Sequence, residues 1–239
     1  MQGSKLVSSF IWCMIAAILV IPIFTWWRSV GDPSVYFTHS LPPGQSIFAF
    51  AKLAGLMAIG LFWTQALLAM APRVPMFRGF PALNRRAHIL LGAITTFLIA
   101  SHVGLFVVAS SLRKKVIAWD LLLPNFSHGY YFLCITLGAI ALYILIIAVF
   151  AGWRTHRGTR AWKKVHMLWL GVFIFALLHS IGIGSETRYG ALRYVFFFIG
   201  SSLTLVIVAR VWSSMHYRQK RLDPRETGVI ASDHHNIGA

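Results

Sequence analysis

Six long apolar runs, separated by short polar segments, dominate the chain. They are residues 6–27, 53–71, 87–112, 121–153, 165–185 and 194–209. A membrane-spanning helix needs about 20 predominantly apolar residues, and the runs reach or approach that length. The fourth run is longer than one span and contains the breakers Pro124, Asn125 and Gly129, so we expect its helix to begin near Ser127. No run alternates polar and apolar residues as a membrane strand does. The pattern predicts an all-α integral membrane protein built as a six-transmembrane-helix bundle.

Composition supports this prediction. Hydrophobic residues make up 57% of the 239 positions and charged residues only 12%, whereas a soluble domain is about a quarter charged. These values exclude a disordered chain and disfavour a soluble enzyme. We expect one six-helix domain over residues 1–217, with no room for a separate catalytic domain, and a polar, mobile cytoplasmic tail over residues 218–239.

The formal net charge of +16 would suggest nucleic acid in a soluble protein. Here the basic residues fall between the apolar runs, so we expect a lipid bilayer and no nucleic acid. With six spans, 15 of the 22 Lys and Arg residues share the side of the two termini and 7 lie opposite. The positive-inside rule then predicts cytoplasmic termini, in a bacterial inner membrane. The Arg113-Lys114-Lys115 run in the third loop works against this orientation.

Four of the ten histidines lie inside apolar runs. They are His88 and His102 in the third run and His166 and His179 in the fifth. An ionisable residue inside a membrane is costly and by default indicates function. The third and fifth spans should run parallel, and His88 and His166 each follow a basic residue by two positions. Spacings of 14 and 13 residues correspond to about 21 Å and about 20 Å along a helix. The sequence therefore predicts two levels of paired histidines.

Paired imidazoles at two depths suit two haems held between two helices. Two histidines on one iron leave no open coordination position, which favours electron transfer. One difficulty concerns His166 and His179, which are thirteen residues apart on the fifth span. Because an ideal helix turns by about 100° per residue, the two side chains should point about 140° away from each other. We therefore expect either an irregular helix near Gly171 or two haems rotated relative to each other. A single haem with one working pair, and histidines that only pack, remain as alternatives.

At these residues the chain resembles the transmembrane domain of the ferric reductase family, which includes NADPH oxidases, iron reductases and the membrane subunit of the bacterial methionine sulfoxide reductase. The likeness covers roughly residues 5–215. It consists of six spans, histidine spacings of 14 and 13 in the third and fifth, and the segment from Trp162 to His166, which is similar to a Trp-x-x-x-His entry into the fifth helix. The irregular spacing of 13 is itself a family feature.

The resemblance implies that His88 and His166 hold an inner haem b, and that His102 and His179 hold an outer one. Family members of the oxidase and iron reductase type also carry a flavin and nicotinamide domain. We expect no such domain in this chain, so the resemblance implies a separate electron donor. A flavoprotein, a quinol or a partner subunit would serve, with quinone or flavin bound at the partner interface.

Basic residues near the span ends are candidates for the haem propionates. They are Arg85, Arg86 and Lys163 for the inner haem, and Arg113 and Arg188 for the outer one. The positive-inside rule explains Arg85, Arg86 and Lys163 equally well. Docking to an acidic extracytoplasmic partner would explain Arg113 to Lys115. His128 is either a surface residue, a propionate contact or a replacement ligand. Phe97 and Phe173 should lie between the haem levels, and Cys13 and Cys134 should be buried packing residues.

Taken together, these features predict a membrane b-type cytochrome, the electron-transfer subunit of a ferric reductase-like oxidoreductase. It would carry single electrons across the bilayer to an extracytoplasmic acceptor such as ferric iron, oxygen or a redox protein. The alternative is an accessory or structural subunit of a larger membrane complex, with one haem or none. A histidine-lined transporter is disfavoured, because no pair of broken helices accompanies the histidines.

Overall fold

A computed structural model describes residues 2–32, 34–35, 40–77, 79–127, 129–153, 161–188 and 190–222. Within these ranges it describes all side chains except those of residues 2–6, 153, 161–163 and 217–222. All regular secondary structure in this part of the chain is helical, with no strand. The predicted all-α architecture is therefore confirmed.

Within the described residues, eight α-helices with defined bounds follow one another. They are α1 (Gln2–Val30), α2 (Gln45–Met70), α3 (Arg85–Lys114), α4 (Tyr130–Trp153), α5 (Ala161–His166), α6 (Trp169–Ile183), α7 (Ser185–Arg188) and α8 (Leu192–Leu222). Short 3₁₀ turns lie at Ala71–Arg73, Pro75–Phe77 and Trp119–Leu122. Six of the described helical segments are long and apolar enough to span a membrane, with α5 and α6 contributing to one of them. The prediction of an integral membrane protein with six spans is confirmed.

Local sequence signals account for several helix ends. Asn84 caps α3, because its side-chain oxygen accepts the backbone N–H of Ala87 at 2.8 Å. Helix α3 ends at Lys115, which adopts a left-handed conformation with φ of 57°. Gly129 has φ of 84° immediately before α4, a conformation that favours glycine. Helix α4 therefore begins at Tyr130, a few residues later than predicted.

The fifth span is irregular near Gly171, which is one of the two expected alternatives. The chain tightens between α5 and α6, where Leu168 donates its backbone N–H to Val165 (3.0 Å) and Leu170 donates to Met167 (3.1 Å). These are the i to i+3 bonds of a 3₁₀ turn, in which each residue advances by about 120° rather than about 100°. The extra rotation reduces the angular mismatch between the two histidines of this span. Gly171 itself lies inside α6, directly after this turn.

The largest buried cluster joins α1, α2 and α8. The Trp63 side chain is fully buried there and donates its Nε1–H to Ser202 Oγ at 2.9 Å. Trp26 donates to the carbonyl of Ala49 at 2.7 Å, which ties α1 to α2. The helices also form two antiparallel pairs, α2 with α3 and α4 with α6. In each pair, residues near the start of one helix contact residues near the end of the other. These two pairs carry the histidines.

Three further expectations have an outcome here. Cys134 is buried as predicted, but Cys13 is exposed on α1, so its predicted burial is wrong. Helix α8 continues to Leu222, past the predicted domain boundary at residue 217, and residues 223–239 lie outside the described residues. His128 also lies outside the described residues.

Candidate functional site

The four membrane histidines come together as two pairs. The ring centroids of His88 and His166 are 6.3 Å apart, at an interplanar angle of 78°. Those of His102 and His179 are also 6.3 Å apart, at 73°. In each pair α3 supplies one ring, and α5 or α6 supplies the other. The structure thus brings the predicted histidines together in the predicted combinations.

The separation of the rings matches the span of one shared metal ion. An imidazole nitrogen binds a first-row metal such as zinc at about 2.0–2.1 Å and lies about 1.2 Å from its own ring centroid, so two rings on opposite sides of one ion have centroids about 6.4 Å apart. Among the described residues, no group of three or more His, Cys, Asp or Glu side chains could hold a metal ion. Each pair therefore suits a metal whose other ligands belong to a bound group, as in haem.

The protonation of the His102/His179 pair follows from its hydrogen bonds. His102 Nδ1 lies 2.7 Å from the carbonyl oxygen of Ala51, and His179 Nδ1 lies 2.8 Å from that of Cys134. A backbone carbonyl only accepts, so each Nδ1 carries the proton and donates it. The lone pair of each neutral ring is then on Nε2. This is the arrangement found in metal-binding histidines, whose second nitrogen donates to a carbonyl or carboxylate.

A large apolar cavity opens between α2, α3, α4 and α6 at the level of this pair. Both His102 and His179 line it. Its other walls are almost entirely apolar, and Ile99, Leu142 and Phe173 are examples. Sites for cofactors are typically concave and apolar, with a few placed polar groups. The donor pair and the apolar walls fit a haem.

The His88/His166 pair has different neighbours. Gln65 on α2 places its amide nitrogen 3.2 Å from His88 Nδ1 and 3.1 Å from the His88 carbonyl oxygen. The same nitrogen lies 3.5 Å from His88 Nε2. The amide donates to the carbonyl, and Nδ1 is the nearer of the two ring nitrogens; donation to Nδ1 would place the ring proton on Nε2. A Cβ atom on Gly152 would lie 3.6 Å from His166 Nδ1, an ordinary contact distance. The second pair thus shares the spacing of the first, and its His88 meets a side-chain amide in place of a backbone carbonyl.

The basic residues proposed for propionates occupy varied positions. Arg85 and Arg86 are exposed in the first turn of α3. Arg113 donates to Gln45 Oε1 at 2.5 Å, and its guanidinium lies 4.8 Å from the Phe48 ring centroid. Arg188 lies over Tyr130 at 5.1 Å. The side chain of Lys163 lies outside the described residues.

The two phenylalanines expected between the histidine levels differ in position. Phe97 lies between His88 and His102 along α3, as predicted, but its side chain is 69% exposed. Phe173 is 4% exposed and stacks on Phe62, with ring centroids 5.9 Å apart. Phe62 also lies 6.2 Å from Trp169, near the start of α6. A run of three aromatic rings, two of them missed by sequence reasoning, therefore extends along α6 between the two histidine levels.

An ion pair lies at the His102/His179 end of the bundle. Lys52, which follows Ala51, bonds to Glu186 on α7 and to Ser185 Oγ at 3.2 Å. Burial by itself would raise the pKa of Glu186. Hydrogen bonds from Lys52 and Ser185, together with the charge of Lys52, outweigh burial and place the pKa below its ordinary value. The carboxylate is therefore ionised at neutral pH and links α2 to α7.

Several contacts of the site could not be found by sequence reasoning. The partners of the histidine rings are backbone atoms or small residues on another helix, 45 to 51 positions away. Gln65 differs from these contacts, because the sequence itself shows a polar side chain in the middle of an apolar run. Comparison of the chain with protein-family models, curated proteins and solved structures gave no match.

Proposed function

We propose that this protein is a membrane b-type cytochrome that carries single electrons through two bis-histidine haems. The observation that carries the proposal is the repeated 6.3 Å separation of two histidine rings at two levels of one bundle. His88 and His166, termed the inner pair, would bind one haem. His102 and His179, termed the outer pair, would bind the other. A bound haem supplies a one-electron ferric–ferrous couple and, with both axial positions taken, has none open for substrate.

The residues between the pairs support electron transfer. The two levels are 14 residues apart on α3, or about 21 Å along the helix axis. The stacked rings of Phe62 and Phe173, with Trp169 beside them, lie in this interval. They exclude water and fill the space with dense, polarisable groups.

Charge suggests the orientation and the partners. The excess of Lys and Arg on the side of the termini favours a cytoplasmic inner pair in a bacterial inner membrane. Electrons would then enter from a flavoprotein, a quinol or a partner subunit, and leave to ferric iron, oxygen or an extracytoplasmic redox protein. This is the role of ferric reductase-like transmembrane domains, to which the histidine spacings are similar.

The basic residues would complete the haem sites. Arg85, Arg86 and Lys163 belong to the inner end of the bundle, and Arg113 and Arg188 to the outer end. Arg113 is held by Gln45 and Phe48, on the same helix faces that frame the outer pair. A guanidinium fixed in this way suits a carboxylate such as a haem propionate.

One observation favours a second candidate function. The amide nitrogen of Gln65 lies 3.2 Å from His88 Nδ1 and 3.5 Å from Nε2. Donation to the nearer Nδ1 would leave the proton on the nitrogen that would bind iron, and the inner site would then rearrange before it binds a metal through Nε2. A single-haem accessory subunit of a larger complex, with only the outer pair occupied, is the alternative.

Electron transfer across a sealed membrane tests the proposal. Purified protein is reconstituted into liposomes that contain trapped ferricyanide, and dithionite is added outside. We expect trapped ferricyanide to be reduced several-fold faster than in protein-free liposomes, and at the protein-free rate with His179→Ala. His216, which is exposed on α8, provides the control variant His216→Ala, which should behave as the parent protein. Equal rates with and without haem-loaded protein would contradict a transmembrane wire.

A further inference from the structure

Two glycines lie directly against the imidazoles of the outer pair. A Cβ atom built on Gly55 of α2 would lie 2.8 Å from His102 Nδ1. One built on Gly138 of α4 would lie 2.7 Å from His179 Nδ1. Real Cβ atoms essentially never approach a heavy atom this closely. Neither position tolerates a side chain unless the ring moves.

The same local arrangement occurs on both helices. The carbonyl that accepts the His102 proton belongs to Ala51, four residues before Gly55. The carbonyl that accepts the His179 proton belongs to Cys134, four residues before Gly138. Residues four apart lie on one face of a helix. Each helix thus offers one ring a carbonyl acceptor and, one turn later, a gap that the ring fills.

The rings have little freedom to yield. Each is tethered by a hydrogen bond of 2.7 or 2.8 Å on the same Nδ1 atom that an added Cβ would crowd. Two other glycines serve as comparisons. At Gly200 a Cβ would lie 2.9 Å from Leu177 Cδ2, the end of a flexible side chain, and at Gly104 it would meet nothing within 4 Å. Close helix packing by small residues is common in membranes, but here the closest neighbour is the ligand ring itself.

We propose that Gly55 and Gly138 are positioning residues which, with the carbonyls of Ala51 and Cys134, hold the outer histidines with Nδ1 protonated and Nε2 ready to bind metal. This inference rests on the proposed function for its haem. The contacts of the two glycines with the imidazole rings do not themselves involve the haem. A carbonyl bonded to Nδ1–H fixes the ring and raises its basicity, and such contacts tune the potential of a metal site.

The test compares four glycine-to-alanine variants. Gly55→Ala and Gly138→Ala crowd the rings, Gly200→Ala crowds a leucine methyl to a similar degree, and Gly104→Ala crowds nothing. The haem-to-protein ratio and the midpoint potential of each haem are measured on monodisperse protein. We expect Gly55→Ala and Gly138→Ala to lose the outer haem, or to keep it with a raised midpoint potential, because a weaker Nδ1 hydrogen bond stabilises ferric iron less. The inner haem should be unchanged, and both control variants should match the parent protein.

A second readout does not depend on haem. In haem-free protein, ¹⁵N-histidine NMR reports the tautomer of each ring. His102 and His179 should be Nδ1-protonated in the parent protein and in the two control variants, and Gly138→Ala should shift His179 alone. Retention of the Nδ1–H tautomer in Gly55→Ala and Gly138→Ala, or equal losses in Gly200→Ala, would overturn the proposal. If the parent protein binds no haem but its tautomers respond as expected, the positioning role stands and the cytochrome function fails.

Discussion

The outer and inner histidine pairs share one spacing and differ in their surroundings. Both have ring centroids 6.3 Å apart. The outer rings donate to backbone carbonyls and face an apolar cavity. In the inner pair, the polar neighbour of His88 is instead the side-chain amide of Gln65, and His166 ends α5 at the tightened turn. The bundle thus sets how far apart the rings lie, and the nearest polar neighbour sets which nitrogen can bind metal.

This difference separates a preorganised site from one that must adjust. The outer pair presents two lone pairs without any movement of protons. The inner pair needs either a rotation of the Gln65 amide, so that its oxygen accepts from Nδ1–H, or a different ligand group. On this account the outer site binds haem first and more tightly, and the inner site is the more sensitive to its neighbours.

The largest expected effect is the loss of a haem from the outer pair. His102→Ala and His179→Ala should each remove one of two haems, because a single imidazole cannot complete the axial coordination. The pyridine haemochrome of purified variants measures the loss, with His216→Ala as the control. Haem content that is equal in both outer variants and the parent protein would contradict the assignment of the outer ligands.

The second effect is on protonation in the inner pair. In haem-free protein we expect ¹⁵N NMR to show His88 mainly in the Nε2–H tautomer, opposite to His102 and His179. Gln65→Leu removes the donor and should change only the His88 signals. Identical tautomers at all three rings, in the parent protein, would remove the contrast between the pairs.

The smallest effect concerns the ion pair at the outer end. The pKa of Glu186 is lowered in the folded protein, so its ionised form stabilises the fold above the unfolded pKa, and this is lost as the pH falls through the folded value. Glu186→Gln should cost about 0.5–1 kcal/mol at pH 7, a range typical of partly exposed pairs. The cost should begin to decrease as the pH falls below the unfolded value of about 4.3, and it should vanish only below the lowered folded value, where the parent carboxyl is also neutral.

Thermal unfolding in detergent, from pH 7 to well below about pH 4, measures this difference. Asp120→Asn provides the control, because the pair of Asp120 with Lys114 is exposed and should contribute nothing measurable. A difference between Glu186→Gln and the parent protein that stays constant over this whole range would show that the carboxylate charge has no role.

The sequence predicted the spans well because length and hydropathy alone decide them. It also predicted the histidine pairs, because parallel spans place equal depths side by side. The turn between α5 and α6 was predicted only approximately, near Gly171, since no proline or glycine lies at Met167 and Leu168 and the bonds of that turn depend on packing. The boundary of α8 was missed because a helix continues into polar sequence once the apolar part is formed.

The faces of the helices were harder to predict than their ends. Phe97 and Phe173 both lie in apolar segments, yet one faces outward and the other lines the cavity. A membrane helix is apolar towards lipid and towards protein alike, so periodicity does not separate the two faces. Gly55 and Gly138 were invisible for a related reason, because their importance comes from rings on other helices.

The most direct test of the central claim is the haem content of the purified protein. A dithionite-reduced minus oxidised spectrum, with haem-to-protein stoichiometry from the pyridine haemochrome, is recorded after expression with ample haem supply. The account predicts two b-type haems per chain, with the outer one retained longer during stepwise haem loss. Well-folded protein with no haem would contradict it.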